Sequence, residues 1–191
     1  MARTKPAEER RADLLAAGRA LFLAKGIAAT SLEDITSTAG VSKGLFYLYF
    51  RSKEDLLLGL QGQFSGEFAE RVRAAVAAEA DWVDKLDACV LASFEYYRDL
   101  HDLHEILFHH AGHDAGQHRH EPPVAEVIAD LLTEGAAAGA FDVADPKMTA
   151  VLCYASMHAF DPGFHGGGGG PPDERLLRAA QELFRRSAGI R

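Results

Sequence analysis

Apolar residues recur along this chain at intervals of three and four, and nowhere do they alternate with polar ones over a strand's length. From Ala7 to Lys25, Leu14, Leu15, Ala17, Leu21 and Phe22 mark one side and Arg10, Arg11, Asp13 and Arg19 the other, and Gly26 stops the run. This predicts an amphipathic brace with Phe22 beneath the next elements. Ser31, with Asp34 three residues on, predicts the capped start of a second helix carrying Leu32, Ile35 and Ala39. Gly40 supplies a left-handed turn, Val41 plugs the angle, and Ser42 caps a third helix about two turns long. Ser52, with Asp55 three residues on, caps a fourth that runs to about Ala78.

Helices follow from Asp81 to about Leu100, from about His101 to His110, from about Val124 to Ala138 and from Pro146 to Phe160. Asp161 to Pro172 holds five consecutive glycines and three prolines and can only be loop. Asp173 caps a last helix to about Ser187, with Leu176, Ala180, Leu183 and Phe184 on one face. The fold class is all-α, with about nine helices: a three-helix N-terminal domain, residues 1–53, and a helical C-terminal domain, residues 54–191.

The third helix is too short to hold itself together in water, so neighbours must brace it and its purpose must be its outer face. With Lys43, Tyr47 and Tyr49 on it, the pair of short helices reads as a helix-turn-helix whose second member enters the major groove of DNA. The net charge of −8 opposes that reading only when taken whole. Residues 1–53 hold nine Lys/Arg against five Asp/Glu, a net of +4, and residues 54–191 hold eleven against twenty-three, a net of −12. Basic charge is confined to the end that would meet phosphates, and the acidic remainder favours one docking orientation. No apolar run approaches a membrane span, Met-Ala-Arg-Thr-Lys-Pro lacks the apolar core of a signal peptide, and Cys89 and Cys153 stand singly. The expected compartment is the reducing cytoplasm, with no membrane partner.

Residues 10–57 resemble the N-terminal domain of TetR-type transcriptional repressors. The matching elements are Ala-Leu-Phe-Leu-Ala-Lys-Gly, Ala-Thr-Ser-Leu-Glu-Asp-Ile, Ala-Gly-Val-Ser-Lys-Gly and Phe-Tyr-Leu-Tyr-Phe-Arg-Ser-Lys-Glu-Asp-Leu, in order and correctly spaced. Thr36 departs from the small apolar residue usual there. The resemblance implies a regulator that binds double-stranded DNA at an inverted-repeat operator, works as a homodimer, and releases DNA when a small effector enters its helical body. It implies that the last two long helices pair with their copies in a four-helix bundle, which would also cover their apolar stripes. It further implies backbone contacts from Tyr47 and Lys53.

Read from the residues, phosphates would be met by Thr30 and Ser31 at a helix N-terminus, and by Lys43, Tyr47 and Lys53. Base reading falls to the exposed face of Ser42 to Tyr49: Lys43, Gly44, Leu45, Leu48 and Tyr49. Leu45 and Leu48 can read only apolar features such as thymine methyls, or else belong to the core, whereas Phe46 and Phe50 face inward. The effector wall would come from Phe64, Phe68, Phe94, Tyr97, Phe108, Tyr154, Met157 and His158, with a cavity beneath Phe64, Phe94 and Met157. Each of these is equally a plain core position, and His158 reads first as a satisfied interior or interface histidine. Their character suits an apolar or aromatic effector.

Seven of the nine histidines lie between residues 101 and 120. A solvated helix end is the ordinary reading. His109 and His113, four apart, are the alternative, a metal or haem site that would make the chain a metal- or haem-responsive sensor. No cofactor is expected. No enzyme is expected either, because no nucleophile–base spacing, phosphate-binding glycine pattern or paired acid motif occurs. Gly59, Gly62 and Gly66 within the fourth helix call for close packing against the first helix or for compliance in the segment joining body to DNA-binding head.

Overall fold

The computed structural model describes residues 6–109, 123–160 and 174–190. Among them every regular element is helical: nine α-helices, a π turn and a 3-10 turn. They fall into two compact units, one of residues 6–64 and 102–109, the other of residues 65–101, 123–160 and 174–190.

In the first unit, α1 (Ala7–Lys25) buries Leu14, Leu15, Ala17, Gly18 and Phe22. Glu8 and Glu9 sit in its first turn and Lys25 in its last, which complements the helix dipole. Gly26 ends it with φ +78°, a conformation that strains any residue with a Cβ. Ser31 caps α2 (Leu32–Thr38) in a reciprocal capping box with Asp34, as the sequence spacing predicts. Lys25 closes the corner by pairing with Asp34 at 2.7 Å. The Lys25 ammonium and the Ser31 hydroxyl together hold the Asp34 carboxyl far below its ordinary value. Buried Thr36, the departure from the family pattern, donates its hydroxyl to Glu33 O at 3.1 Å within its own turn.

Gly40 turns the chain at φ +66°, and Ser42 Oγ accepts from Leu45 N at 3.2 Å to open α3 (Lys43–Phe46). The expected two turns are one α turn followed by tighter bonds, Leu48 N to Leu45 O and Tyr49 N to Phe46 O. Tightening of this kind satisfies carbonyls at a helix end, and it brings buried Phe46 and Phe50 together at 5.7 Å between rings. α4 (Lys53–Ala78) then starts on Ser52 Oγ, which accepts from Asp55 N. Its first half lies against α1: a Cβ at Gly18 would stand 2.5 Å from Leu56 Cδ2, and one at Gly59 3.2 Å from Leu15 Cδ2.

In the second unit, Asp81 caps α5 (Trp82–Asp99), which is buried through Leu86, Cys89, Val90, Ala92, Ser93, Phe94, Tyr96 and Tyr97. α7 (Pro123–Ala137) packs on α5 and on α8 (Pro146–Ser156), and α9 (Glu174–Ser187) packs on α5 and α8. Asp87 and Arg185 join α5 to α9 as a forked pair, with Nε to Oδ1 at 2.9 Å. The helix expected from Pro146 to Phe160 tightens at Met157 into a 3-10 turn, which buries Met157 and Phe160. The short helix expected after His101 is α6 (His101–His104), continued by the π turn Glu105–His109, and from Asp102 on it belongs to the first unit. The glycine-rich segment and Asp173 lie outside the described residues.

Candidate nucleic-acid interface

Residues 30–53 divide into a face that holds and a face that is offered. Phe46 and Phe50 are buried at 0% and 3% exposure, and they orient the short α3 from beneath. Tyr47 is 53% exposed and Leu48 77%, and Lys43 and Gly44 are exposed with them. Leu45 and Tyr49 are half-buried. A Cβ at Gly44 would meet only the Ser42 hydroxyl, at 3.9 Å, so its backbone is open to close approach. A helix turn offering an ammonium, a phenol and a large bare leucine has the makeup of a groove reader: two groups for phosphate and one for thymine methyls.

The α1–α2 corner differs from expectation. Thr30 is 1% exposed, and its hydroxyl donates to Gly26 O at 2.7 Å. Its hydroxyl is therefore engaged in bracing the corner, where the sequence reading offers it to a phosphate. Ser31 is engaged too: its hydroxyl and its N–H both donate to Asp34 Oδ2, at 2.7 and 2.8 Å. An arriving phosphate would have to compete with that carboxylate. Lys53 reaches back across the turn and donates to Ile27 O at 2.7 Å and Thr30 O at 2.9 Å. Two of its three ammonium protons are thus used in fixing the corner, leaving one for an anion. No pattern in the sequence could show this brace, because it joins residues 23 and 26 apart.

The residues expected to form an effector wall separate by unit. In the first, Phe64 meets His104 and Phe108, with ring centroids 5.7 and 5.6 Å away. In the second, Phe68 stacks on Tyr96 at 4.8 Å and meets Tyr97 edge-on, while Phe94 and Tyr97 both meet Phe160. Met157 is buried, and Tyr154, half-buried, meets His158 at 5.4 Å. His158 itself is exposed, so of the two readings, interior or interface, the interior one is corrected; it points outward from a turn whose Met157 and Phe160 are buried. Sequence reasoning missed Gln61, which is 5% exposed and lies in line with Leu57, Leu60 and Phe64 on α4. A polar residue inside an apolar stripe was the available signal.

The His113 half of the histidine pair lies outside the described residues, as does the side chain of His109. Among the described residues no three His, Cys, Asp or Glu side chains gather as a metal site, and no helix is long and apolar enough to cross a membrane. Both thiols are buried; desolvation pushes Cys89 up to about 12 and raises Cys153 as well, which makes them poor nucleophiles.

The three-helix arrangement and its outward α3 face define a helix-turn-helix DNA-binding domain. Residues 14–60 match the family described as "Bacterial regulatory proteins, tetR family", and that segment is a DNA-binding domain of the TetR type. It is similar to the transcriptional activator FasR of Mycolicibacterium smegmatis, 29% identical over 138 residues that make 72% of this chain and 60% of that protein. It is also similar to the transcriptional repressor KstR2 of Mycobacterium tuberculosis, 34% identical over 92 residues, 48% of this chain and 46% of that one. The match therefore spans no more than 60% of either relative's length. Among solved structures, FadR of Bacillus subtilis in complex with stearoyl-CoA superposes with a TM-score of 0.69, covering 94% of this chain and 99% of that one. At 19% identity this likeness concerns the fold alone.

Proposed function

We propose that the chain is a dimeric transcriptional regulator of the cytoplasm that holds an inverted-repeat operator through residues 30–53 and lets go when a small apolar or aromatic effector enters its helical body. The observation that carries the reading is the outer face of α3 and the turn that follows it, where Lys43, Gly44, Tyr47 and Leu48 stand exposed above a buried Phe46–Phe50 pair. Lys43 and Tyr47 take phosphates and Leu48 reads a thymine methyl, with Lys53 adding its remaining donor. Residues 1–53 act as the DNA-binding domain and 54–191 as the regulatory and dimerising one.

Dimerisation is supported by an open apolar stripe in the second unit. Met148, Val151 and Leu152 on α8 and Leu183 on α9 are 41–65% exposed, at helical spacing along their own elements. A two-fold operator requires a two-fold protein, and this stripe is the surface that would make one. An apolar effector is supported by the Phe, Tyr and Met content of the body and by the acyl ligand of the FadR structure. Repression is the favoured sign, as in KstR2, although FasR is named an activator. Nothing among the described residues favours the metal- or haem-responsive reading.

The test is selection from a random duplex library by the purified chain, followed by sequencing. Enrichment of an inverted repeat, lost in a Lys43→Ala, Tyr47→Ala double variant that still folds, is the expected result. A half-site without symmetry, or binding unaffected by the double substitution, would overturn the reading.

A further inference from the structure

We propose that Gln61 is the recognition site for the hydrogen-bond donor of a small neutral aromatic ligand, a phenol O–H or a ring N–H. The inference rests on the proposed effector reading and adds the polar group the effector must carry. Gln61 is 95% buried by its 5% exposure, and its Nε2 donates to Leu107 O at 2.7 Å. That bond fixes the amide, because a flip would set oxygen against oxygen. Its Oε1 is left buried and without a hydrogen-bond partner among the described residues. A buried orphan acceptor is costly and uncommon, and it calls for a donor.

A buried water in that place would need two to four polar partners, of which Gln61 Oε1 is one, whereas a ligand donor needs only that acceptor. Phe64, one turn along α4 from Gln61, and Phe108, next to Leu107, belong to a cluster of rings: Phe64 to Phe108 at 5.6 Å, Phe64 to His104 at 5.7 Å and His104 to Phe108 at 4.9 Å. Rings of this kind favour an aromatic guest stacked or edge-on against them. None carries a fixed charge, which disfavours an ionised one. Leu107 and Phe108 also lie in the π turn, a rare arrangement that occurs mostly as a single turn and is frequent at functional sites.

The experiment titrates the full chain with p-cresol and with p-xylene, which exchange a hydroxyl for a methyl at equal size. We expect p-cresol to bind about tenfold more tightly, and Gln61→Met to level the two. Independently of that variant, glutamine-labelled wild type has four side-chain amides to follow, and the Gln61 signal should move with p-cresol and not with p-xylene. Equal affinities in the wild type would overturn the subsite while leaving the aromatic-effector reading in place. A preference that survives Gln61→Met, or a Gln61 signal indifferent to p-cresol, would do the same. Failure of both compounds to bind would overturn the aromatic-effector reading itself, and the subsite with it.

Discussion

Replacing Gly62 and Gly66 by alanine should stiffen and stabilise α4. A Cβ at either position meets no atom within 4 Å beyond the helix itself, so alanine gains its intrinsic helix preference and loses no contact. That preference is about 1 kcal/mol per site in a helix interior, hence about 2 kcal/mol for the pair. For a chain of this size the melting temperature should rise by about 4–8 °C. Amides between the two sites should exchange about 30-fold more slowly where local opening governs them. Gly59 makes the control. Its Cβ would lie 3.1 Å from Phe50 Cε1 and 3.2 Å from Leu15 Cδ2, so the packing strain of alanine offsets the same gain. Close approach to α1 thus accounts for Gly59 and not for the other two. Compliance remains as their explanation, since α4 is the covalent link from residues 30–53 to the second unit. The decisive assay compares DNA affinity with and without an effector found by thermal-shift screening, in wild type and in the Gly62→Ala, Gly66→Ala variant. Loss of effector response with unchanged effector-free affinity is expected. A stabilised variant with a full response would refute compliance, and a destabilised one would refute the open-space argument.

Leu48→Ala should relax discrimination at one base pair per half-site by about 1 kcal/mol, read by competition between operator variants, because Leu48, in the turn that follows α3, is the most exposed large apolar residue of the 30–53 segment. Leu152→Glu with Leu183→Glu should yield monomers in sedimentation, since each would bury a carboxylate in the proposed interface; an intact dimer would move that interface elsewhere. Ser31→Ala should cost about 1 kcal/mol in chemical denaturation by removing a cap that Asp34 N–H uses at 3.1 Å. Because the folded Asp34 carboxyl is held below its ordinary 3.8, its contribution is present above that value and fades as pH falls through the folded value; Asp34→Asn should flatten the acid limb of the stability profile. Cys89 should resist a thiol reagent at pH 8 until the chain unfolds, its thiol being pushed up to about 12.

The limits of α1, the Ser31 capping box, the Gly40 turn and the Ser52 start of α4 were legible in the sequence because each is decided within a few residues. A hydroxyl bonds an N–H three positions on, and a glycine supplies its own positive φ, whatever the rest of the chain does. The inward pair Phe46 and Phe50 was legible for the same reason, being four apart on one helical turn. The length of α3 was not, because i to i+3 bonds at a helix end depend on what waits to receive the next residues. Thr30 shows the same boundary from the other side. As a polar residue one step before a cap, it reads as an anion contact, and only the fold reveals that its hydroxyl is given to Gly26 O and its carbonyl to Lys53. A residue in that position can serve DNA directly or serve the corner that presents Lys43 and Leu48, and local pattern cannot tell the two apart. The distinction is measurable: Thr30→Val keeps the volume and removes the hydroxyl, leaving Lys53 its carbonyl. For a brace, the substitution should lower stability by about 1–3 kcal/mol, through the acceptor left unpaired in the corner, and leave the salt slope of DNA binding unchanged. For a phosphate contact it should weaken binding at unchanged stability, and that result would return Thr30 to the interface.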